Sequence, residues 1–231
     1  MRWRSLEEAS PVAGTRPLRE IFAERKEMIA KYVTAEIQSI HARAISELRQ
    51  SGIAERTLRP GNTAPCFELS DHSGTLVRST DLLQEGPLVL CFFRGRWCPF
   101  CVGQLEAMDS IYPKIKERGA RFIAISPQTI HQSYLMADQH RLHFPLLSDT
   151  QNTVAKQFGL VYRVPDYQQE IYQRVFVNLP FVNGDPAWEL PVPATYVINH
   201  ESTVLYAAVN PDYTERPEPS EVLKFLAQLA E

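Results

Sequence analysis

Phe92-Phe93-Arg94-Gly95-Arg96-Trp97-Cys98-Pro99-Phe100-Cys101 closes an apolar run with a Cys-x-x-Cys pair. The run, Leu88 to Phe93, is short, continuous and without helical period, which predicts a strand buried on both faces. Pro99 suits the first turn of a helix, where its missing N–H is one that would go unpaired anyway. The ten residues thus predict a strand, a turn and a helix with Cys98 at the helix N-terminus. Unpaired amides and the positive end of the macrodipole favour a thiolate there, and Arg94 and Arg96 add cationic charge if they face the sulfur. Two cysteines three apart on a first turn close a small loop, so their disulfide can break and re-form during turnover. The pair reads as a switch rather than a staple.

Two plainer readings stand beside this one. A Cys-x-x-Cys can be half of a zinc site, but the chain has no second Cys-x-x-Cys and no His-x-x-x-His, so no metal is expected. The pair could also be packing material, since free cysteine behaves as a small hydrophobe. Composition narrows the rest. At 231 residues the chain can bury a sizeable core, and it reads as one domain plus an appendage. A formal charge of -3 argues against a nucleic-acid or anionic-membrane surface. Met1 to Glu8 lacks the apolar core of a signal peptide and no run reaches membrane-spanning length, so a cytoplasmic protein is expected. Only four cysteines are present, Cys66, Cys91, Cys98 and Cys101, which is no disulfide-stapled scaffold.

From Pro17 to about Ser51 apolar residues recur every three or four positions, from Leu18, Ile21 and Phe22 to Ala44 and Leu48, and predict one long amphipathic helix or two. Such an arm either packs on its own domain or forms an oligomer contact. Pro60, Gly61 and Pro65 mark a change of period, giving an N-terminal helical arm over 1–56 and an α/β domain over 57–231. Within the domain, Phe67–Leu69 and Thr75–Val77 read as a hairpin, Phe122–Ile125 as a second buried strand and Phe144–Leu147 as a third. The helix after Cys98 carries Val102, Leu105, Met108, Tyr112 and Ile115 on one face, with Pro113 expected to bend it. Helices are expected over Thr129–His140 and from Asp149 or Thr150 to near Gly159. Tyr162 to Leu190 lacks a clean period and reads as an insertion with one helix around Tyr167–Val177. Thr195–Ile198 and Val204–Val209 read as paired strands, and Ser220 as the cap of a last helix. Alternating strands and helices ending in a strand pair predict an α/β sandwich around a mixed sheet.

These pieces resemble the thioredoxin superfamily and, within it, the peroxiredoxins of the alkyl hydroperoxide reductase and thiol-specific antioxidant group. The resemblance covers roughly Leu58 to Ala230. It rests on Thr63-Ala64-Pro65-Cys66-Phe67-Glu68-Leu69, on the Phe92–Cys101 turn, and on Phe144-Pro145-Leu146-Leu147-Ser148-Asp149 with Val154-Ala155 and Phe158-Gly159. Pro193-Ala194-Thr195-Tyr196-Val197-Ile198 is similar instead to the thioredoxin strand that begins at a cis-proline. It implies a thioredoxin-like fold. Departures matter as much. The peroxiredoxin pattern Pro-x-x-x-Thr-x-x-Cys, laid without gaps, puts the peroxidatic cysteine on Cys101, with Cys98 in the threonine place and Arg94 in the proline place. The arginine that usually precedes the late strand would fall near Pro193 and is missing there, and Cys66 stands where aspartate is usual. Trp97-Cys98-Pro99-Phe100-Cys101 fits the thioredoxin pattern directly and makes Cys98 the nucleophile.

The implied activity is a thiol peroxidase that reduces hydrogen peroxide or organic hydroperoxides through a Cys98/Cys101 dithiol–disulfide cycle, with a thioredoxin-like or small-thiol reductant, no cofactor, and a homo-oligomer, most simply a dimer. Exposure expected at the helix end favours Cys98 as first attacker and Cys101 as resolver; the gap-free alignment favours the reverse. Trp97 is expected to shield the sulfurs, or simply to pack. Pro193, were its bond to Val192 cis, would set a backbone edge opposite Cys98. Cys91, inside the apolar run, reads as inert core, and Cys66 is a weaker redox candidate. A protein disulfide oxidoreductase without peroxidase activity and a redox-sensitive binding protein remain as alternatives.

Overall fold

The structure, a computed structural model, describes residues 16–229. The start of the predicted arm, including Met1–Glu8, lies outside the described residues. Two helices come first, α1 (Leu18–Tyr32) and α2 (Ala35–Gln50). They are separate because Val33 is extended and the Thr34 hydroxyl caps α2, accepting from the Ile37 N–H. A single turn α3 (Ile53–Arg56) leads to an antiparallel hairpin, β1 (Glu68–Ser70) and β2 (Leu76–Arg78), then to α4 (Ser79–Gln84). β3 (Leu88–Phe92), α5 (Pro99–Glu117), β4 (Arg121–Ser126), α6 (Ile130–His140) and β5 (Leu146–Ser148) form the alternating unit, followed by α7 (Thr153–Gln157). Then come β6 (Val161–Arg163), α8 (Asp166–Arg174), α9 (Leu179–Asn183) and β7 (Glu189–Pro191). β8 (Ala194–Ile198), β9 (Val204–Val209) and α10 (Pro219–Gln228) end the described chain.

The central sheet has strand order β5-β4-β3-β8-β9, parallel from β5 to β3 and antiparallel from β3 to β9. β3 lies in the middle with every residue buried, which is why its sequence is continuously apolar. Its side chains still alternate. Val89 and Cys91 face one core with α1, α5, α6 and α10, whereas Leu88, Leu90 and Phe92 face the other with Ile53, Phe67 and Phe158. The result is the expected α/β sandwich, a mixed sheet with helices on both faces.

Two expectations need correcting. The insertion is more structured than its sequence: its two ends pair as β6 and β7, in register Val161 with Pro191, and a second short helix, α9, follows α8. Ser220 does not cap α10. Glu218 holds the N-cap position, and its carboxylate instead accepts from the N–H groups of Leu18 and Arg19, both at 2.8 Å, which caps α1. Much of the apolar stripe of α1 packs on its own domain, one of the two readings the sequence allowed. Leu18 and Phe22 are buried, and Phe22 meets Phe100 edge-on with ring centroids 5.1 Å apart.

Candidate active site

The turn between β3 and α5 carries the cysteines. Cys98 is the N-cap residue of α5 and Pro99 its first helical residue, so the carbonyl of Cys98 accepts from the N–H groups of Cys101 and Val102. Gly95 permits the preceding bend. Its φ of 143° disfavours any side chain, and a Cβ there would stand 2.6 Å from the Trp97 indole nitrogen.

The exposure expected of Cys98 is absent. Cys98 is 1% and Cys101 0% exposed, because both lie in the core with Phe22 and Phe100, against which Trp97 and Tyr213 pack, and Arg216 reaches the Cys101 sulfur. Trp97 packs on Tyr172 of α8, with ring centroids 5.1 Å apart, and on the buried guanidinium of Arg94, 4.7 Å from its ring. Trp97 is therefore a wall of the site that stacks on a cation.

Arg94 is 1% exposed and sits in an aromatic cage. Its guanidinium lies 4.0 Å from the Tyr213 ring centroid, and it donates to the Tyr172 hydroxyl. Burial works against its charge, but Tyr172, Tyr162, Cys98 and Tyr213 around it hold its pKa above the usual arginine value. Arg96, predicted to share this role, does not. Its Nε donates to the buried Oε1 of Gln132 on α6 at 2.7 Å, which turns the guanidinium to that helix. His41 of α2 also touches the cage, 5.9 Å from Tyr172, but burial and the nearby Arg94 charge lower its pKa to about 4, so it stays neutral.

The second cation at the sulfurs was not legible in the sequence. Arg216, in the segment between β9 and α10, places an Nη2 donor 3.6 Å from the Cys101 sulfur. Its Nε donates to Gln104 Oε1 at 2.6 Å, and its Nη1 to the carbonyls of Tyr213 and Glu215. Gln104 is buried one turn after Cys101 and in turn donates to the Thr195 hydroxyl of β8 at 3.2 Å. The only local hint was a glutamine on the buried stripe of α5. Arg216 itself lies among prolines and acids that read as loop.

These neighbours split the pair electrostatically. Burial opposes a Cys101 thiolate, yet the Cys98 thiol, Arg216, Arg94 and the Arg94 backbone amide together lower its pKa to about 5. Burial, and then the hydrogen bond and charge of Cys101, push Cys98 well above the usual thiol range. Cys91 lies on β3, pushed up to about 12 by burial, and its sulfur is 3.4 Å from the Thr195 hydroxyl. Cys66 is exposed in the loop before β1. All four cysteines are free thiols. Pro193 precedes β8, whose Ala194 pairs with Phe92, so it stands beside the end of β3. Its bond to Val192 is trans, since no cis peptide occurs among the described residues, and the backbone edge expected of a cis-proline is not formed. No group of His, Cys, Asp or Glu able to hold a metal occurs among the described residues.

A vicinal dithiol at the start of a helix, beyond the central strand of such a mixed sheet, defines a thioredoxin-like redox protein. Comparison with known proteins makes the class narrower. The AhpC/TSA family matches residues 60–207, and the chain belongs to that family. It is 29% identical over 179 residues to a chloroplastic Peroxiredoxin Q of Triticum aestivum, covering 78% of this chain and 71% of that one. It is 30% identical over 108 residues to the thiol-disulfide oxidoreductase ResA of Bacillus thuringiensis, over 46% of this chain and 61% of the relative. Among solved structures it superposes on Peroxidoxin BcpB of Mycobacterium tuberculosis with a TM-score of 0.59 at 26% identity, covering 74% of this chain and 98% of that one.

Proposed function

We propose that this chain is a thiol peroxidase that reduces hydroperoxides through a Cys98/Cys101 dithiol–disulfide cycle, with Cys101 as the attacking sulfur and Cys98 as the resolver. The observation that carries this assignment is the Arg216 donor 3.6 Å from the Cys101 sulfur, in a chain of the AhpC/TSA family. The Cys101 thiolate attacks one oxygen of the O–O bond and becomes a sulfenic acid, while the other oxygen leaves as hydroxide or alkoxide and takes a proton. Arg216 and Arg94 stabilise the thiolate and the charge that develops on the leaving oxygen. The Cys98 sulfur then attacks the Cys101 sulfur, its proton leaves with the hydroxide as water, and the disulfide forms. A dithiol or small-thiol reductant restores the pair.

This order reverses the one that exposure favoured, because neither sulfur is exposed and charge alone separates them. Substitution tests it. Cys98→Ser should consume one peroxide equivalent and trap a sulfenic acid at Cys101, detected with dimedone, whereas Cys101→Ser should consume almost none. The opposite pattern moves the attack to Cys98. The Trp-Cys-Pro-Phe-Cys motif and the likeness to ResA favour a second reading, protein disulfide exchange without peroxidase activity. Wild-type protein that reduces insulin readily but meets peroxide no faster than free cysteine would select it.

Two settings belong to the same proposal. A chain with only four cysteines and no disulfide-stapled scaffold suits the cytoplasm, which fractionation of cells tests. Among the described residues no helix is long and apolar enough to cross a membrane. A homodimer would use Met28 and Tyr32, the apolar side chains α1 leaves exposed. A monomeric mass in solution would remove it.

A further inference from the structure

We propose that the Cys98–Cys101 disulfide is a strong oxidant, reducible by low-molecular-weight monothiols, because two guanidiniums beside it are balanced by the reduced pair and by nothing in the disulfide. The inference rests on the reading of the two cysteines as a dithiol–disulfide couple. Arg94 is buried, stacked on Trp97 and Tyr213, and its Nε has no hydrogen-bond partner. Arg216 reaches the Cys101 sulfur, and its other donors go to neutral oxygens, those of Gln104, Tyr213 and Glu215. Neither forms an ion pair with a carboxylate among the described residues. Tyr162, Tyr172 and Tyr213 line the cage, and His41, kept neutral, adds no charge.

A buried cation needs an anion. In the reduced protein the Cys101 thiolate supplies one; in the disulfide both sulfurs are neutral, the buried Arg94 keeps only ring faces and the Tyr172 hydroxyl, and the half-buried Arg216 has only neutral oxygens as protein partners. Oxidation therefore removes the counter-charge, and a couple whose reduced form is preferentially stabilised is an oxidising one. The same charges direct the exchange. A monothiol thiolate attacks the Cys98 sulfur and expels Cys101 as a thiolate, which Arg216 and Arg94 receive; the better-stabilised thiolate leaves faster. A second monothiol attacks the mixed disulfide at its own kind of sulfur and releases Cys98, which takes a proton. In sum, the protein disulfide and two monothiols give one thiol, one thiolate, one proton and one small-molecule disulfide, with two electrons transferred. Burial points the same way, since a small thiol needs less of the Trp97–Tyr172 cover displaced than a protein's dithiol loop does.

The test is an equilibrium titration of the full-length protein in buffers of reduced and oxidised glutathione, followed by trapping and counting the free thiols. The expected equilibrium constant for reduction is at least 100-fold above that of a thioredoxin measured alongside, about 60 mV at 29.6 mV per decade. Arg216→Gln should lower the constant by about tenfold, or about 30 mV, and Arg216→Lys should recover part of it. Arg216 is half-buried in a segment without helix or strand, so both variants should fold. A constant equal to that of thioredoxin, or one indifferent to Arg216→Gln, overturns the inference and leaves the peroxidase reading intact. If peptide mapping of oxidised protein finds no Cys98–Cys101 link, both fall together.

Discussion

Cys98 and Cys101 are three residues apart and equally hidden, yet their surroundings make one an acid and the other a poor one. Cys101 accepts from the Cys98 thiol and faces Arg216 and Arg94, which overcome the penalty of burial. Reduced wild-type protein should therefore show one thiolate by absorbance at 240 nm, titrating near pH 5, and peroxide consumption should fall as pH drops through that value. Two protonated thiols at pH 7 would contradict it. Cys91 should behave oppositely. Raised to about 12 by burial and held beside Thr195, it has no route to a thiolate at neutral pH. Cys91→Ala should keep turnover and lose about 1 kcal/mol of stability by urea unfolding, the scale of a small buried truncation. At this scale the sequence showed the pair and the nearness of Arg94, because they share one turn. Arg216 and the cage tyrosines escaped it, since what places them is tertiary folding across more than a hundred residues for Arg216, and no local pattern encodes that.

Among the elements, α1 and α5 meet unusually closely, and one residue allows it. A Cβ on Gly103 would stand 2.8 Å from the Arg25 guanidinium and 3.0 Å from the Phe22 ring. Arg25 donates to the Pro99 carbonyl, so the contact ends on the first turn of the redox helix. Gly103→Val should cost about 1 to 3 kcal/mol by overpacking, against the small gain that valine's better helix propensity would bring. Chemical unfolding measures it, and a stability unchanged from wild type would show that α1 yields freely. Glu218→Ala removes the cap that α10 lends to α1 and should cost about 0.5 to 2 kcal/mol in the same measurement. The strands and α5 could be read from the sequence because their burial is periodic or complete. The insertion could not, because β6 and β7 are three residues each and find one another only across the helices between them. Ser220 was a sound local cap candidate, but Pro219 starts the helix two residues earlier than that cap would and leaves Glu218 outside it.

For the whole molecule, the Cys101 thiolate couples redox state to pH. Its folded pKa lies near 5, below the ordinary thiol value of 9.0 that the unfolded chain has. A depressed acid stabilises the fold fully above the unfolded value and loses that contribution as pH falls through the folded one. The reduced protein should therefore gain thermal stability relative to the oxidised protein between pH 5 and 9. Paired melting curves of the two forms check this, and a constant difference would refute it. Arg216 also sets an order of events in time. It follows the sulfur it serves by 115 residues and lies beyond the family segment of 60–207. A ribosome hence releases both cysteines long before the charge that activates one of them. Until the segment that carries Arg216 docks against Gln104, the Cys101 sulfur lacks that donor and keeps only the neighbours of its own turn.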